Sequence, residues 1–587
     1  MLDSCARRGG VAVERLRSPQ QTVRFGSFEL DQAGGELRKN GAKVRLQEQP
    51  LQVLQILLQT PGKLITREEL QQRIWPSNTF VDFDHGINNA IKRLREALGD
   101  TAETPRYVET IPRRGYRFVG RIERETPRFR SLAVLPLENL SRDPEQEYFA
   151  EGLTETLITT LAKIGQLRVV SRTSAMLYKD ARKPLREIAY ELGVDTIVEG
   201  TVLRVGERVR ITAQLIDAQQ EVHLWAESYD RNLRDVLDLH SELAQAIARG
   251  VQVKLTPREE AELAEAHPVH PAAYEWYLKG RYHWNRRNRE GLPKGVQCFR
   301  AAIAQDPTYA AAHAGLADCL VGLHTYCLAA PADSVAHAKE LAIRALDLDP
   351  GSAEAHASLG WCKTWYDYDF VGAEREFERC IELNFRYATG HQWYAFFLSN
   401  MGRYEEAYAE IKRAIRLDPL SRVFNWSLGF IYWNGRLYDD AINQLGATLE
   451  LDPGYAPAHA VLAWANRSKA QHGAAIAAAL KAVECAPGAS FYLAFLGEAY
   501  AAAGREDEAQ KVLAQLKELS REQYVTTYHM GRIYASLGKI DEAFAWWEIA
   551  YQERASWLLF LKADPFIDDL RPDPRFQDLM RRMNFPE

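Results

Sequence analysis

Apolar and polar positions change their period twice along this chain. From residue 270 onward small side chains recur every 34 positions, at Ala395, Gly429, Ala463, Gly497 and Gly531, and in step with them at Ala407, Ala441, Ala475, Ala509 and Ala543. Pro419, Pro453 and Pro487 keep the same interval. Large residues fill the spaces between, Leu428, Tyr432 and Leu445 in one unit and Leu496, Tyr500 and Leu513 in another. Small residues allow two helices to approach closely, and Leu-Asp-Pro at 417–419 and 451–453 stops the second helix of each unit. The pattern predicts an all-α solenoid over 270–555, most regular from 388 onward. Upstream units end near Pro307, Pro350 and Phe385, with loops expected around 286–293 and 327–333. Arg521 stands where the ladder calls for proline. Residues 556–587, with Pro565, Pro572 and Pro574, predict a non-repeating cap over the last apolar face.

Between 131 and 255 the period alternates between 2 and 3.6. Strands are expected at 131–137, 168–171, 196–205, 208–217 and 222–229, and helices at 147–164, 185–192 and 233–255. Gly206-Glu207 reads as the turn of a hairpin. The segment is an α/β middle domain.

Residues 22–122 begin with short β-prone pieces at 23–30, 36–39 and 42–46, separated by Gly34-Gly35 and Asn40-Gly41. A helix over 49–60 presents Leu51, Leu54, Leu57 and Leu58 and ends at Pro61-Gly62. Thr66 opens a second helix with Glu69 three residues on, a capping box, and Trp75-Pro76 closes it. Asp84 caps a third helix that runs to Leu98 and stops at Gly99. On this helix Ile87, Ile91, Leu94 and Leu98 form one apolar stripe. His85, Asn89, Lys92, Arg93 and Glu96 lie opposite, with Asn88 and Arg95 at the edge. Strands at 107–111 and 116–119 then flank a basic hairpin tip, Pro112-Arg-Arg-Gly115.

Charge sharpens this picture. The chain has 587 residues, 46% hydrophobic and 26% charged, and a net charge of -6. Residues 22–122 hold 16 Lys and Arg against 12 Asp and Glu, net +4, which leaves -10 for the rest. A local basic excess suits a nucleic-acid face. Asn and Arg can read base edges by paired hydrogen bonds, Lys and Arg neutralise phosphate, and a helix fits the major groove. The seven cysteines form no C-x-x-C pair, so neither a zinc site nor a disulfide framework is indicated. No apolar run reaches the ~18–20 residues of a membrane span. Residues 1–21 lack the apolar core of a signal peptide and are expected to be disordered.

Three resemblances follow from these residues. The order sheet, three helices, hairpin is similar to the OmpR/PhoB-type winged helix-turn-helix domain. Ala90-Ile-Lys-Arg-Leu-Arg-Glu-Ala-Leu98 resembles that family's recognition helix, and Tyr107-Val-Glu-Thr-Ile-Pro-Arg-Arg-Gly-Tyr-Arg-Phe118 resembles its wing. The resemblance implies base-reading positions at Asn88, Asn89 and Arg93, phosphate contacts at Lys92 and Arg95, and wing contacts at Arg113 and Arg114. Tyr116 is expected to pack the wing. Asn88-Asn89 depart from the better-known members and leave the target sequence open. Leu132-Ala-Val-Leu-Pro-Leu, Glu151-Gly-Leu and Val198-Glu-Gly-Thr resemble the TolB N-terminal-like domain, and the 34-residue ladder resembles the tetratricopeptide repeat.

The expected chain is multidomain: a disordered 1–21, a winged helix at 22–122, the TolB-like domain at 131–255, the tetratricopeptide array at 270–555 and a cap at 556–587. With only 21 residues before the winged helix and a short charged linker at 121–130 after it, the arrangement resembles a ToxR/CadC-type regulator without a membrane span. That resemblance implies a one-component cytoplasmic regulator of transcription. Its expected partners are double-stranded DNA and a protein or peptide in the repeat groove, which Trp361, Trp365, Tyr366, Tyr368, Trp393, Tyr394, Phe396 and Phe397 could line unless they pack between helices. A homodimer is left open. The alternative is a repeat scaffold whose winged helix serves protein interaction. No cofactor, metal or catalytic site is expected, since no P-loop or G-x-G-x-x-G follows a strand. His240 near Asp238 and Glu151 near Glu155 read as helix-surface residues.

Overall fold

A computed structural model describes residues 22–31, 35–39, 42–74, 83–120, 122–123, 131–141, 143–232, 236–253, 255–257, 259–260, 269–555 and 557–585. The expectations for residues 1–21, for the Asn40-Gly41 turn, for the helix end at Trp75-Pro76 and for most of the linker 121–130 fall outside them. The chain divides into two compact units, Met1–Arg128 and Phe129–Glu587.

The first unit runs β1 (Thr22–Phe25), β2 (Phe28–Asp31), β3 (Glu36–Lys39), β4 (Ala42–Val44), α1 (Glu48–Gln59), β5 (Ile65–Thr66), α2 (Arg67–Ile74), α3 (Phe83–Leu98), β6 (Val108–Ile111), β7 (Gly115–Phe118) and β8 (Ile122–Glu123). One antiparallel sheet has the order β4-β3-β2-β1-β8, and the wing sheet has the order β5-β7-β6. Apolar faces of all three helices meet in one core with Phe25, Phe28, Leu30 and Phe118. Phe25 ties the two sheets together, its ring 5.1 Å from Phe118 and 5.5 Å from Tyr107, both edge-on, the arrangement the ring quadrupoles favour. The capping box at the start of α2 is formed. Thr66 N donates to Glu69 Oε2 at 2.8 Å and Glu69 N donates to Thr66 Oγ1 at 3.1 Å.

The second unit opens with a mixed sheet. Its strands are β9 (Ser131–Val134), β10 (Glu138–Asn139), β11 (Arg168–Val169), β12 (Thr196–Val205), β13 (Arg208–Asp217) and β14 (Val222–Asn232). The order is β11-β9-β12-β13-β14, with β10 beside β12. Helices α4 (Glu147–Ala162), α5 (Arg172–Met176), α6 (Leu185–Leu192) and α7 (Val236–Gly250) complete it. The hairpin turn sits at Gly206, φ 60°. Helix α5 is an addition to the sequence reading. It is one turn long, too short to carry a 3.6-residue periodicity.

Eight helix pairs follow among the described residues, from Pro271–Arg286 with Gly291–Gln305 to Thr527–Ser536 with Ile540–Gln552. The alanine ladder at 407, 441, 475, 509 and 543 is buried throughout. The glycine ladder sits where a neighbour intrudes: a Cβ on Gly531 would lie 2.3 Å from Trp547 Nε1. Interruptions near 286–293 and 327–333 are shorter than expected, because the next helices already start at Gly291 and Pro331. Residues 557–585 form two 3-10 segments and the helix Pro574–Arg582.

The mixed sheet and the array belong to one compact unit, and polar contacts join them. Glu155 on α4 accepts from Arg281 Nε at 2.8 Å and Asn285 Nδ2 at 2.6 Å on the first repeat helix. Ser174 of α5 donates to the buried Asp418 carboxylate. Burial pushes that carboxyl above its ordinary pKa, against hydrogen bonds from Ser171, Ser174 and Thr173.

Candidate nucleic-acid interface

The sequence of α3 separates two faces. Ile87, Ala90, Ile91, Leu94 and Leu98 are buried in the core. His85, Asn88, Asn89, Lys92, Arg93 and Glu96 are exposed. Arg113 and Arg114 are exposed at the wing tip. Among the described residues, Lys92, Arg93, Arg113 and Arg114 form no salt bridge. Four cations are therefore held on one helix face and one hairpin tip with no carboxylate at salt-bridge distance among the described residues, which leaves them open to a phosphate backbone.

The wing tip is a turn in which Arg114 N donates to Ile111 O at 3.0 Å. Proline in its second position and a positive φ of 61° at Arg113 in its third define type II geometry, which favours glycine at Arg113. Gly115 comes next, where β7 crosses β5. A Cβ there would lie 2.1 Å from the Ile65 carbonyl oxygen, so only glycine permits this strand approach.

Two polar clusters fix the wing against α3. Asn88 Oδ1 accepts from Arg67 Nη2 at 2.8 Å and from the Tyr116 hydroxyl at 3.0 Å. Arg67 Nη2 also donates to the Tyr116 hydroxyl at 2.9 Å. Seven residues along, Arg95 Nη2 donates to Val108 O at 2.7 Å and Thr110 Oγ1 at 2.8 Å. Arg95 thus departs from its expected place among the phosphate contacts. It is half-buried, and its guanidinium is turned to strand β6.

Just past the helix, buried Asp100 accepts from the backbone N–H of Arg106 at 2.7 Å, Tyr107 at 3.0 Å and Val108 at 2.8 Å. Burial pushes its carboxyl pKa up, but these donors and Thr101 N outweigh burial and hold it below the ordinary range. Arg95, read from the sequence as a phosphate contact, and Asp100, which the sequence reading did not single out, both hold the wing in position. An acidic residue directly after a helix-stopping glycine was the available signal for Asp100.

The residues read as helix-surface in the second unit lie elsewhere. His240 is buried against Tyr274, with ring centroids 6.3 Å apart, and burial lowers its pKa to about 4. Glu151 is paired with Arg172 and with Lys179 at 2.7 Å. The helices carrying these residues are covered by neighbouring elements, which the helical period does not reveal. No group of three or more His, Cys, Asp or Glu suited to a metal ion occurs among the described residues, and none of their helices is long and apolar enough to cross a membrane.

Residues 41–118 match the family described as transcriptional regulatory protein, C terminal, and residues 388–419 match the tetratricopeptide repeat. The chain thus carries an OmpR/PhoB-type winged helix-turn-helix domain and tetratricopeptide repeats, and its relatives include transcriptional regulators of the ToxR/CadC/HilA kind. It is 23% identical to the transcriptional regulator HilA of Salmonella typhi over 428 residues, 71% of this chain and 74% of that protein. It is 28% identical to the transcriptional activator CadC of Escherichia coli over 101 residues, 17% and 19% of the two chains. A protein named putative adenylate cyclase 3, from Rhizobium meliloti, is 37% identical over 238 residues, which cover 40% of each chain.

Proposed function

We propose that the chain is a transcription regulator that binds duplex DNA with α3 in the major groove and the wing tip on the adjacent backbone. The exposed cations Lys92, Arg93, Arg113 and Arg114, which form no salt bridge among the described residues, carry this reading. Asn88, Asn89 and Arg93 face the base edges, and Lys92, Arg113 and Arg114 neutralise phosphate. Such a protein acts where the DNA is, in the cytoplasm. The array supplies a surface for a protein or peptide partner, and the TolB-like segment relays its state. The packing of that segment onto the repeats as one compact unit supports the relay. No catalytic step is assigned to the chain.

Selection of bound fragments from genomic DNA by the purified full-length chain tests the reading. One enriched sequence motif is the expected result, with an affinity that falls steeply with salt. Failure to retain any duplex at low salt would overturn it in favour of a scaffold.

A further inference from the structure

From the second pair on, the first helices of the repeat pairs are largely buried. All thirteen residues of Ala388–Asn400 are buried. A helix buried all round needs a cover on each face, and residues 557–585 supply part of it. The segment does more than cap the last repeat. Trp557 Nε1 donates to Thr325 O, in the second pair, at 3.1 Å. The Trp557 ring lies 5.1 Å from Phe491 and 5.7 Å from Phe430. Phe560 lies 4.9 Å from Phe430 and 6.3 Å from Trp365, and Phe585 lies 4.9 Å from Phe370. Leu558, Leu559 and Leu561 are buried as well. Trp557 holds a left-handed backbone, φ 75°, unfavourable for an aromatic residue and maintained by its surroundings.

Charge complements shape. Arg532 is buried, and Arg467 mostly so, beside one carboxylate of the array, Glu498. Asp564, from the C-terminal segment, supplies the second negative charge, 3.1 Å from Arg532 Nε, and accepts from the Tyr528 hydroxyl at 3.2 Å. Burial lowers the His529 pKa, against the hydrogen bond to Glu498. Arg436 Nη2 donates to both Asp568 oxygens, at 2.8 and 2.9 Å. The fit is incomplete: a chamber of about 70 Å³ remains between Trp557, Phe560 and the walls at Trp361, Trp365 and Trp393.

We propose that the inner face of the array is a peptide-binding site whose resident ligand is the chain's own C-terminal segment, an aromatic-aliphatic stretch followed by an acidic residue, and that this segment is displaceable. The inference deepens the reading of the array as a partner surface. A partner of the same chemistry, apolar residues spaced as Trp557 and Phe560 and a carboxylate placed as Asp564, gains the site only when the segment leaves.

The test uses the full-length chain with a protease site inserted between Ala555 and Ser556, cut after folding and mixed with a fluorescent synthetic peptide of residues 556–587. The cut chain takes up the label and the uncut chain takes up none. A peptide carrying Trp557→Ala and Phe560→Ala is taken up at least ten-fold more weakly. Helical circular dichroism is followed in parallel. Loss of helix on cutting, or retained helix with no exchange, would show the segment to be permanent core and overturn the proposal while leaving the outer surface of the array open to partners. Equal uptake by cut and uncut chains would place the peptide elsewhere and overturn it too. None of these readouts depends on DNA binding.

Discussion

The Tyr116 hydroxyl donates to Asn88 Oδ1 at 3.0 Å, which joins the wing directly to a residue on the exposed face of α3. Because Arg67 donates to the same oxygen, both of its acceptor positions are taken within the protein. Paired reading of adenine needs an acceptor and a donor from one Asn. Asn88 in this state offers donors only, which suits a base-edge acceptor or a phosphate. Tyr116→Phe keeps the ring and removes one donor. It is expected to cost about 0.5–1.5 kcal/mol of stability and to alter base preference at one position of the selected motif. Thermal unfolding and sequence selection on the variant check both effects.

Arg93 and Arg95 lie two residues apart on one helix and are expected to behave oppositely. Arg93→Ala weakens specific DNA binding by about 1–3 kcal/mol and leaves stability nearly unchanged, and Lys92→Ala lowers the salt slope by about one. Arg95→Ala leaves the carbonyl of Val108 without its charged donor and destabilises the winged helix by about 1.5–3 kcal/mol. Its DNA-binding loss is expected to shrink where the fold is fully populated. Denaturant melts beside salt-dependent titrations separate these effects.

The wing offers two substitutions of opposite sign. Gly115→Ala forces the strands apart at Ile65 and should abolish the wing together with DNA binding. Arg113→Gly relaxes a left-handed residue, stabilising the turn by about 1–2 kcal/mol, while it removes a cation and weakens binding. Melting temperature and affinity should fall together in the first variant and diverge in the second.

Asp100 makes the winged helix acid-sensitive. Its native pKa lies below the unfolded value of about 3.9, so its stabilisation is complete above that value and is lost as pH falls through the native pKa. Asp100→Asn should unfold more easily at pH 7 and lose much of this dependence at low pH. Acid titration of wild type and variant, followed by near-ultraviolet circular dichroism, measures the difference.

Gly531→Ala tests the ladder. Alanine is the better helix former, yet its methyl group would lie 2.3 Å from a buried indole nitrogen. A net loss of about 1–3 kcal/mol is expected from overpacking, read by thermal unfolding of the full chain.

Periodicity along the chain determined the main elements. The 34-residue ladders placed the helix pairs, alternation placed β12 and β13 around Gly206, and the apolar stripe from Ile87 to Leu98 separated the two faces of α3. These are local properties, since a side chain's direction follows from its position on a helix or strand. Only the tertiary structure decided what the polar side chains do. Arg95 and Lys92 look alike in sequence, yet one guanidinium turns to Val108 and the other cation faces out. His240 and Glu151 carry polar patterns on helices that other elements cover. The C-terminal segment reads as a cap, yet Trp557 reaches Thr325, 232 residues away. Such pairings depend on which surfaces the fold brings together, and that is set by burial summed over the whole core, which no local window contains.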